Sequence, residues 1–148
     1  MAKFRYRMQS ILNIKIQMED QAKMELGRAQ RRLNEEEERL EQLYSRKSAY
    51  LEEGRRLRQD SLKVQVLRDN EYALARMDEF IEEQKENVRY AERKVEEARQ
   101  KLEEIMKERK GQERLREKAF EQFVLEVNAA ESKEVDELTS YTYGQKRG

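Results

Sequence analysis

The 148-residue sequence contains no cysteine, histidine, tryptophan or proline, and only five glycines. Because cysteine and histidine are absent, disulfides, thiolate nucleophiles and metal sites built from these side chains are excluded. Hydrophobic residues make up 36% of the chain, below the roughly 45 to 50% of ordinary globular domains, so a multilayered core is also excluded. A single apolar layer between long helices needs less, and the abundance of Glu, Lys, Arg, Gln, Ala and Leu is typical of long helices.

The charged residues balance, with 32 Lys and Arg against 32 Asp and Glu. Zero net charge argues against a protein that binds nucleic acid through a basic surface. No segment approaches the roughly 20 consecutive apolar residues that cross a bilayer, and polar residues interrupt the apolar ones that follow the basic N-terminus, so no signal-peptide core is expected. We therefore expect no direct membrane insertion. The absence of cysteine agrees with a cytoplasmic location.

Hydrophobic residues recur at every seventh position through the middle of the chain. An α-helix makes one turn in about 3.6 residues, so a strict seven-residue repeat makes the helix wrap around a partner helix. The stretch therefore predicts a coiled coil. A second apolar row follows the first at alternating spacings of three and four, interrupted only by Asn70 and Gln84. The first row consists of Leu67, Leu74, Ile81, Val88, Val95 and Leu102.

The preceding segment can supply the partner helix if the chain reverses direction near Leu62. The residue numbers of facing positions then sum to about 124, and large apolar side chains face small ones in successive layers. Leu33 faces Ala91, for example, and Ala29 faces Val95. Such alternation keeps a thin apolar layer evenly packed.

A reversal at Gly54 is the alternative, because glycine is a common helix terminator. It would place Leu40 against Arg68 and bury a charge. The sequence therefore predicts an all-α fold, a long antiparallel two-helix coiled-coil hairpin with an overhanging C-terminal helix. The predicted elements of this single domain are helix 1 at about 3–58, the turn at about 59–62, helix 2 at about 63–138 and a flexible tail at about 139–148.

In this register helix 2 has no partner on helix 1 beyond about residue 120. A contiguous exposed apolar surface usually marks a binding site for another molecule. The alternative interpretation of this overhang is self-association. The apolar residues of this overhang are Phe120, Phe123, Val124, Val127 and Leu138.

The first 20 residues form a basic amphipathic stretch, which is typical of an anionic-membrane binder, of a segment docking on an acidic partner, or of one end of a coiled coil. Near the turn, Tyr44, Tyr50 and Tyr72 are candidates for partner anchors or for partial burial between the helices. No glycine-rich phosphate loop, nucleophile with a base, or isolated carboxylate pair is present. We expect no catalytic residue, no metal, no cofactor and no enzymatic activity.

The chain opens with the amphipathic residues Phe4, Tyr6, Arg7, Met8, Ile11, Leu12 and Lys15. This opening is the most specific part of a resemblance to the flagellar type III export protein family FliJ, which the sequence resembles across its whole length in architecture. The resemblance implies a cytoplasmic protein, peripherally associated with the inner face of the cell membrane at the flagellar base and monomeric when alone. It implies binding to the hexameric flagellar export ATPase like a central stalk, which promotes ATPase assembly and activity. It also implies contacts with the cytoplasmic domain of the export gate and with substrate chaperones.

The resemblance also assigns residues to two surfaces. In the gate-binding surface, family members can carry an aromatic residue where this sequence has Arg46 and Ala73, so this surface is weaker here. The alternative function is a structural scaffold or adaptor whose helices pair between chains. The implied ATPase-binding residues are Phe4, Tyr6, Met8, Ile11, Leu12, Phe120 and Phe123, and the implied gate-binding residues are Leu43, Tyr50, Tyr72, Met77 and Ile81.

Overall fold

The computed structural model of the chain describes residues 2–59 and 63–147, with the side chains of 2–59 and 63–144. Two helices account for nearly all of these residues: α1, Gln9–Gln59, and α2, Val64–Arg147. The part of the chain described contains no β-strand. The predicted all-α helical hairpin is confirmed. Both helices run without a break because no proline interrupts them.

The helix ends differ from the predicted ones at both termini. Residues 2–8 lie outside α1, where the sequence predicted helix from about residue 3. At the other end α2 continues to Arg147 through the segment predicted as a flexible tail, since the Ser and Thr residues there do not end a helix on their own. The reversal lies between Gln59 and Val64, and the predicted turn residues 60–62 fall outside the described residues. Gly54, the rival turn position, lies within α1.

The chain divides into two compact units. The first, the terminal unit, combines Met1–Asp20 with Glu103–Gly148. The second, the central unit, comprises Gln21–Leu102. Each helix contributes to both units, and each unit contains a segment from either side of the reversal.

The core of the central unit is the predicted single apolar layer. Leu33 packs with Val88, Ala91 and Val95, which are all buried. The cluster matches the predicted layers, in which a large side chain opposes a small one. Burying the larger side chains, Leu33, Val88 and Val95, contributes about 1.5 to 3 kcal/mol each. Three partly buried residues pack against this cluster, namely Leu26, Ala29 and Leu40.

Asn70 and Gln84, which interrupt the second apolar row, are both buried in the central unit. The Gln84 amide donates hydrogen bonds to the backbone carbonyl of Glu36 at 2.8 Å and to its carboxylate at 2.5 Å. The Asn70 amide donates to the Tyr50 carbonyl at 2.9 Å. Buried amides with specific partners fix the register of a coiled coil, because any slip leaves them unpaired.

Asn70 also lies directly against Gly54. A Cβ placed on Gly54 would stand 2.6 Å from the Asn70 Oδ1 atom, which is closer than non-bonded carbon and oxygen atoms can approach. Only glycine therefore fits this position without a shift of Asn70. The pair also agrees with the predicted register, in which these two positions face each other.

The terminal unit has its own buried residues. Leu12 and Ile105 are 4% and 6% exposed. Arg109 joins α2 to the buried Glu19 of α1, with 2.5 Å between its Nε atom and the Glu19 Oε2 atom, and it also contacts Glu113 at 2.8 Å. Hydrogen bonds to Glu113 and Glu19 raise the pKa of the Arg109 guanidinium. Neither helix, over the residues described, has a stretch apolar and long enough to cross a membrane.

Candidate partner-binding surfaces

Three phenylalanine rings form a cluster in the terminal unit, here called the Phe4 cluster. The Phe4 ring lies 5.2 Å from that of Phe120 in an edge-to-face arrangement and 5.5 Å from that of Phe123. The Phe120 and Phe123 rings are 6.5 Å apart. Aromatic pairs at these separations contribute about 0.5 to 1.5 kcal/mol each beyond simple burial. The two α2 phenylalanines, expected to have no partner, are thus partly covered by Phe4, although Phe120 remains 48% exposed.

Residues 2–8, the N-terminal segment, are held against α2 by polar contacts as well. The Tyr6 hydroxyl donates a hydrogen bond to Gln112 Oε1 at 2.9 Å. The Arg116 Nε atom donates to Gln9 Oε1 at 3.0 Å, and the same guanidinium lies 5.5 Å from the centre of the Phe4 ring. Contacts of this kind are not periodic in sequence. They hold this segment, which the sequence predicted as helix, against α2 and outside α1.

The N-terminal segment and α2 line an open groove of about 510 Å³, here called the N-terminal groove. Its walls combine apolar rings with three cationic side chains and one carboxylate. An acidic, partly apolar partner surface fits this chemistry. The lining residues are Lys3, Phe4, Arg5, Tyr6, Arg7, Met8, Ala119, Gln122, Phe123 and Glu126.

The implied ATPase-binding residues divide by exposure. Met8 and Ile11 are 37% and 40% exposed, and Phe4, Tyr6 and Phe123 are half-buried. Leu12, at 4% exposure, lies in the core of the terminal unit. The structure therefore brings Phe4, Tyr6 and Met8 to the same groove as Phe123 and buries Leu12.

The implied gate-binding residues divide more sharply. Met77 and Ile81 are 7% and 4% exposed, so they belong to the interior of the central unit. Leu43 and Tyr50 are half-buried, and only Tyr72, at 70% exposure, is open to solvent. Two of these five side chains are thus covered and cannot touch a partner in this conformation.

Phe80 is an exposed aromatic residue that the sequence reasoning missed. It is 37% exposed, and the Arg76 guanidinium lies 5.0 Å from its ring centre. It borders a groove of about 300 Å³, the Phe80 groove, to which Leu43 also contributes. Phe80 stands one residue before the buried Ile81, so the heptad rows themselves indicate a position on the edge of the interface. The remaining lining residues are Arg39, Gln42, Arg46, Glu83, Gln84 and Asn87.

Beyond the Phe4 cluster, α2 continues as the C-terminal extension, residues 124–144. Every described side chain from Asn128 to Gly144 is exposed. Val135 and Leu138 are 59% and 65% exposed, and with Thr139, Thr142 and Tyr143 they border a shallow groove of about 380 Å³. The extension is acidic, with five carboxylates against one lysine: Glu126, Glu131, Glu134, Asp136 and Glu137 against Lys133.

None of these surfaces has the groups for a metal site. Within the described residues, no three His, Cys, Asp or Glu side chains come together in a way that could hold a metal ion. The arrangement consists of open grooves with aromatic rings and charges at their rims, which suits contacts with other proteins.

The described residues thus form an all-α helical hairpin with open grooves along its helices. The family model described as Flagellar FliJ protein matches residues 4–148, and the chain belongs to this family. Members are non-enzymatic export components, and this protein is a component of flagellar type III protein export. A comparison with curated protein sequences finds no match.

A solved structure has the same fold. It is described as a YscO homolog, CT670, from Chlamydia trachomatis, and it is superimposable with a TM-score of 0.78 at 22% sequence identity. The match covers 98% of each chain. At this identity the likeness concerns the fold, including the two long packed helices.

Proposed function

We propose that this protein binds the hexameric flagellar export ATPase like a central stalk and promotes the assembly and activity of the hexamer. It also links the ATPase to the cytoplasmic domain of the export gate and to substrate chaperones. In this proposal it is a cytoplasmic monomer that associates peripherally with the cell membrane at the flagellar base. The Phe4 cluster carries the proposal, because it joins the N-terminal segment to α2 in one partly exposed aromatic surface.

The ATPase-binding surface we propose is the N-terminal groove with its exposed neighbours. Met8 lines this groove, and Phe120 and Ile11 add exposed apolar area in the same unit; the three side chains are 37%, 48% and 40% exposed. Lys3, Arg5 and Arg7 add positive charge. Partly exposed aromatic residues are frequent hot spots of protein interfaces, and the cations favour an acidic partner wall.

The gate-binding surface we propose is the Phe80 groove together with Tyr72. Phe80 and Leu43 provide its apolar part, and Arg46 provides a cation at its edge. Met77 and Ile81 act from beneath, by packing in the core that positions these exposed side chains. In this proposal the gate contacts come from Phe80, Leu43 and Tyr72, and not from the buried Met77 and Ile81.

A reconstitution with the purified ATPase tests the first surface. The double variant Phe120→Ser with Phe123→Ser removes two rings of the Phe4 cluster, so stimulation of ATP turnover and of hexamer formation should be lost. Helical content should change little, because neither ring belongs to the buried layer of the central unit. Turnover, hexamer mass and circular dichroism are the measurements.

The matched control is the double variant Phe80→Ser with Tyr72→Ser, which changes two exposed aromatic residues in the central unit. This control should stimulate the ATPase like the unaltered protein and should lose binding to the gate's cytoplasmic domain. Full ATPase stimulation by the Phe120 and Phe123 variant would refute the proposed ATPase surface. The scaffold alternative requires pairing between chains, and a monomeric mass in sedimentation equilibrium would exclude it.

A further inference from the structure

A second groove in the central unit is not used by the proposed contacts. It has a volume of about 400 Å³ and runs along α1 from Arg28 to Arg39, a distance of about 16 Å or three helical turns. Alanines at its floor, Ala29 and Ala91, leave room between the larger side chains at its rims. We call it the Tyr90 groove. Its other lining residues are Arg32, Glu36, Asn87, Tyr90 and Lys94.

The lining of the Tyr90 groove is strongly basic. Arg28, Arg32, Arg39 and Lys94 face a single carboxylate, Glu36. That carboxylate is buried, and Arg32 and Arg39 approach it at 3.0 Å and 3.3 Å. Both arginine side chains nevertheless remain more than half exposed, at 62% and 57%. Their remaining N–H groups are therefore available to a second anion.

Nearby carboxylates do not cancel this charge. Glu35 lies 4.0 Å from Arg32, at the limit of an ion pair, and Glu97 lies 3.3 Å from Lys94. Both are well exposed, with 60% and 66% of their side chains open to solvent, so these pairs are weak and exchange easily with a partner's carboxylates.

Tyr90 supplies an apolar contact at the rim of the same groove. Its side chain is 56% exposed, and two cations flank the ring, Arg93 at 6.0 Å and Lys94 at 5.3 Å from its centre. An exposed aromatic ring fixed between cations binds a partner's apolar side chain while the cations bind adjacent carboxylates. The groove thus combines one apolar anchor with a row of positive charge.

We propose that the Tyr90 groove docks an acidic amphipathic α-helix of a partner protein, which lies along α1 and α2 as a third helix. The alanine floor permits the close approach that helix packing needs. Arg28, Arg32 and Arg39 recur at spacings of four and seven along α1, which match the carboxylate spacings available on one face of a helix. This interaction is separate from the proposed ATPase surface, and it shares only Arg39 and Asn87 with the Phe80 groove.

Binding of designed peptides to the full chain tests this proposal. The probe is a fluorescein-labelled helical peptide of three heptads, with leucine at the core positions and glutamate at the flanking positions. One control peptide carries lysine in place of glutamate, and a second keeps the composition of the probe in a scrambled order. The acidic helix should bind at least about tenfold more tightly than either control in fluorescence anisotropy.

The groove variant combines Arg28→Glu with Tyr90→Ala, both at exposed positions. It should bind the probe at least about tenfold more weakly than the unaltered protein. The matched control combines Arg31→Glu with Tyr141→Ala, which change the same residue types at exposed positions outside the groove and outside the proposed ATPase and gate surfaces. It should bind the probe as the unaltered protein does. Both variants should still stimulate the ATPase, so this test is independent of the proposed function.

Cross-linking gives a second measurement that does not depend on loss of binding. The chain has no cysteine, so Asn87→Cys places a unique thiol at an exposed position of the groove. A probe whose single cysteine is activated as a 2-pyridyl disulfide should exchange onto this thiol, releasing pyridine-2-thione. The same probe should not react with Asn34→Cys, an exposed position outside the groove. Equal binding by the groove variant, equal binding of the scrambled peptide, or equal cross-linking at the two positions would overturn the proposal. Self-association of the protein that Arg28→Glu abolishes would also overturn it, since the occupant would then be a second copy.

Discussion

The central unit and the C-terminal extension carry similar amphipathic patterns but differ in what covers them. In the central unit, Val88 and Val95 are 9% and 6% exposed because an apolar row of α1 faces them. In the extension, Val135 and Leu138 are 59% and 65% exposed. The same kind of residue is thus a core residue where the chain supplies a second helix, and an exposed one where it does not. Coverage by a partner helix, and not hydrophobicity alone, decides its role.

Aspartate in place of valine should separate the two regions most strongly. Val88→Asp places an unpaired carboxylate in the buried layer, which should destabilise the fold by at least about 3 kcal/mol. Val135→Asp, at an exposed position, should cost no more than about 1 kcal/mol. Thermal melting followed by circular dichroism measures both. Equal melting temperatures for the two variants would contradict the burial of Val88.

The second largest effect is expected where coverage is partial, at the N-terminal segment. Phe4→Ala removes both ring contacts to α2, which should weaken the attachment of this segment by about 1 to 3 kcal/mol. Exchange of the Gln9 amide, which donates to the Tyr6 carbonyl at 3.1 Å, should accelerate about fivefold or more. The melting temperature should hardly change, because the core of the central unit does not involve Phe4.

The control for this measurement is Tyr72→Ala, which removes an aromatic ring that is 70% exposed in the central unit. It should leave exchange of the Gln9 amide unaltered. Unchanged exchange in Phe4→Ala would mean that the polar contacts of Tyr6 and Arg116 suffice to hold the segment. Hydrogen exchange monitored by nuclear magnetic resonance resolves the individual amide.

Sequence periodicity predicted the parts of the structure that repeat. Matching the two apolar rows predicted that Leu33 faces Ala91, because only one register buries both rows. The same match predicted that the chain reverses near Leu62 and that Gly54 lies within a helix. The same rows placed Asn70 and Gln84 in the interface, although their hydrogen-bond partners depend on the backbone of the opposite helix and cannot be read from spacing.

Sequence reasoning was less successful where structure depends on single, distant contacts. Residues 2–8 lie outside α1, and the Tyr6 hydroxyl bonds to Gln112, more than 100 residues away. The predicted register, in which facing residue numbers sum to about 124, encodes neither this pairing nor the start of the helix at Gln9. The implied gate residues show a second limit. Neighbouring positions on a helix differ by about 100° in direction, so Ile81 is buried while Phe80 is at the surface. Assignment to a surface needs the actual direction of each side chain.

The smallest effects are expected at glycines, where they should change sign between the two units. Gly111→Ala meets no atom within 4 Å and should stabilise α2 by about 0.5 to 1 kcal/mol, because alanine favours the helix. Gly54→Ala gains the same preference but pushes its Cβ to 2.6 Å from Asn70 Oδ1. Asn70 is buried and bonded to the Tyr50 carbonyl, so its displacement should cost more than the gain and leave a net loss of about 1 kcal/mol.

Chemical denaturation of the two single variants measures this difference in sign. The combination of Gly54→Ala with Asn70→Ala provides the decisive control, since removing the amide removes the atom that the new Cβ would strike. The double variant should then be more stable than Asn70→Ala alone by about the helix preference of alanine over glycine, roughly 0.5 to 1 kcal/mol. If Gly54→Ala stabilises the protein as much as Gly111→Ala does, Asn70 moves freely, and the close approach of the two helices at this layer does not depend on glycine.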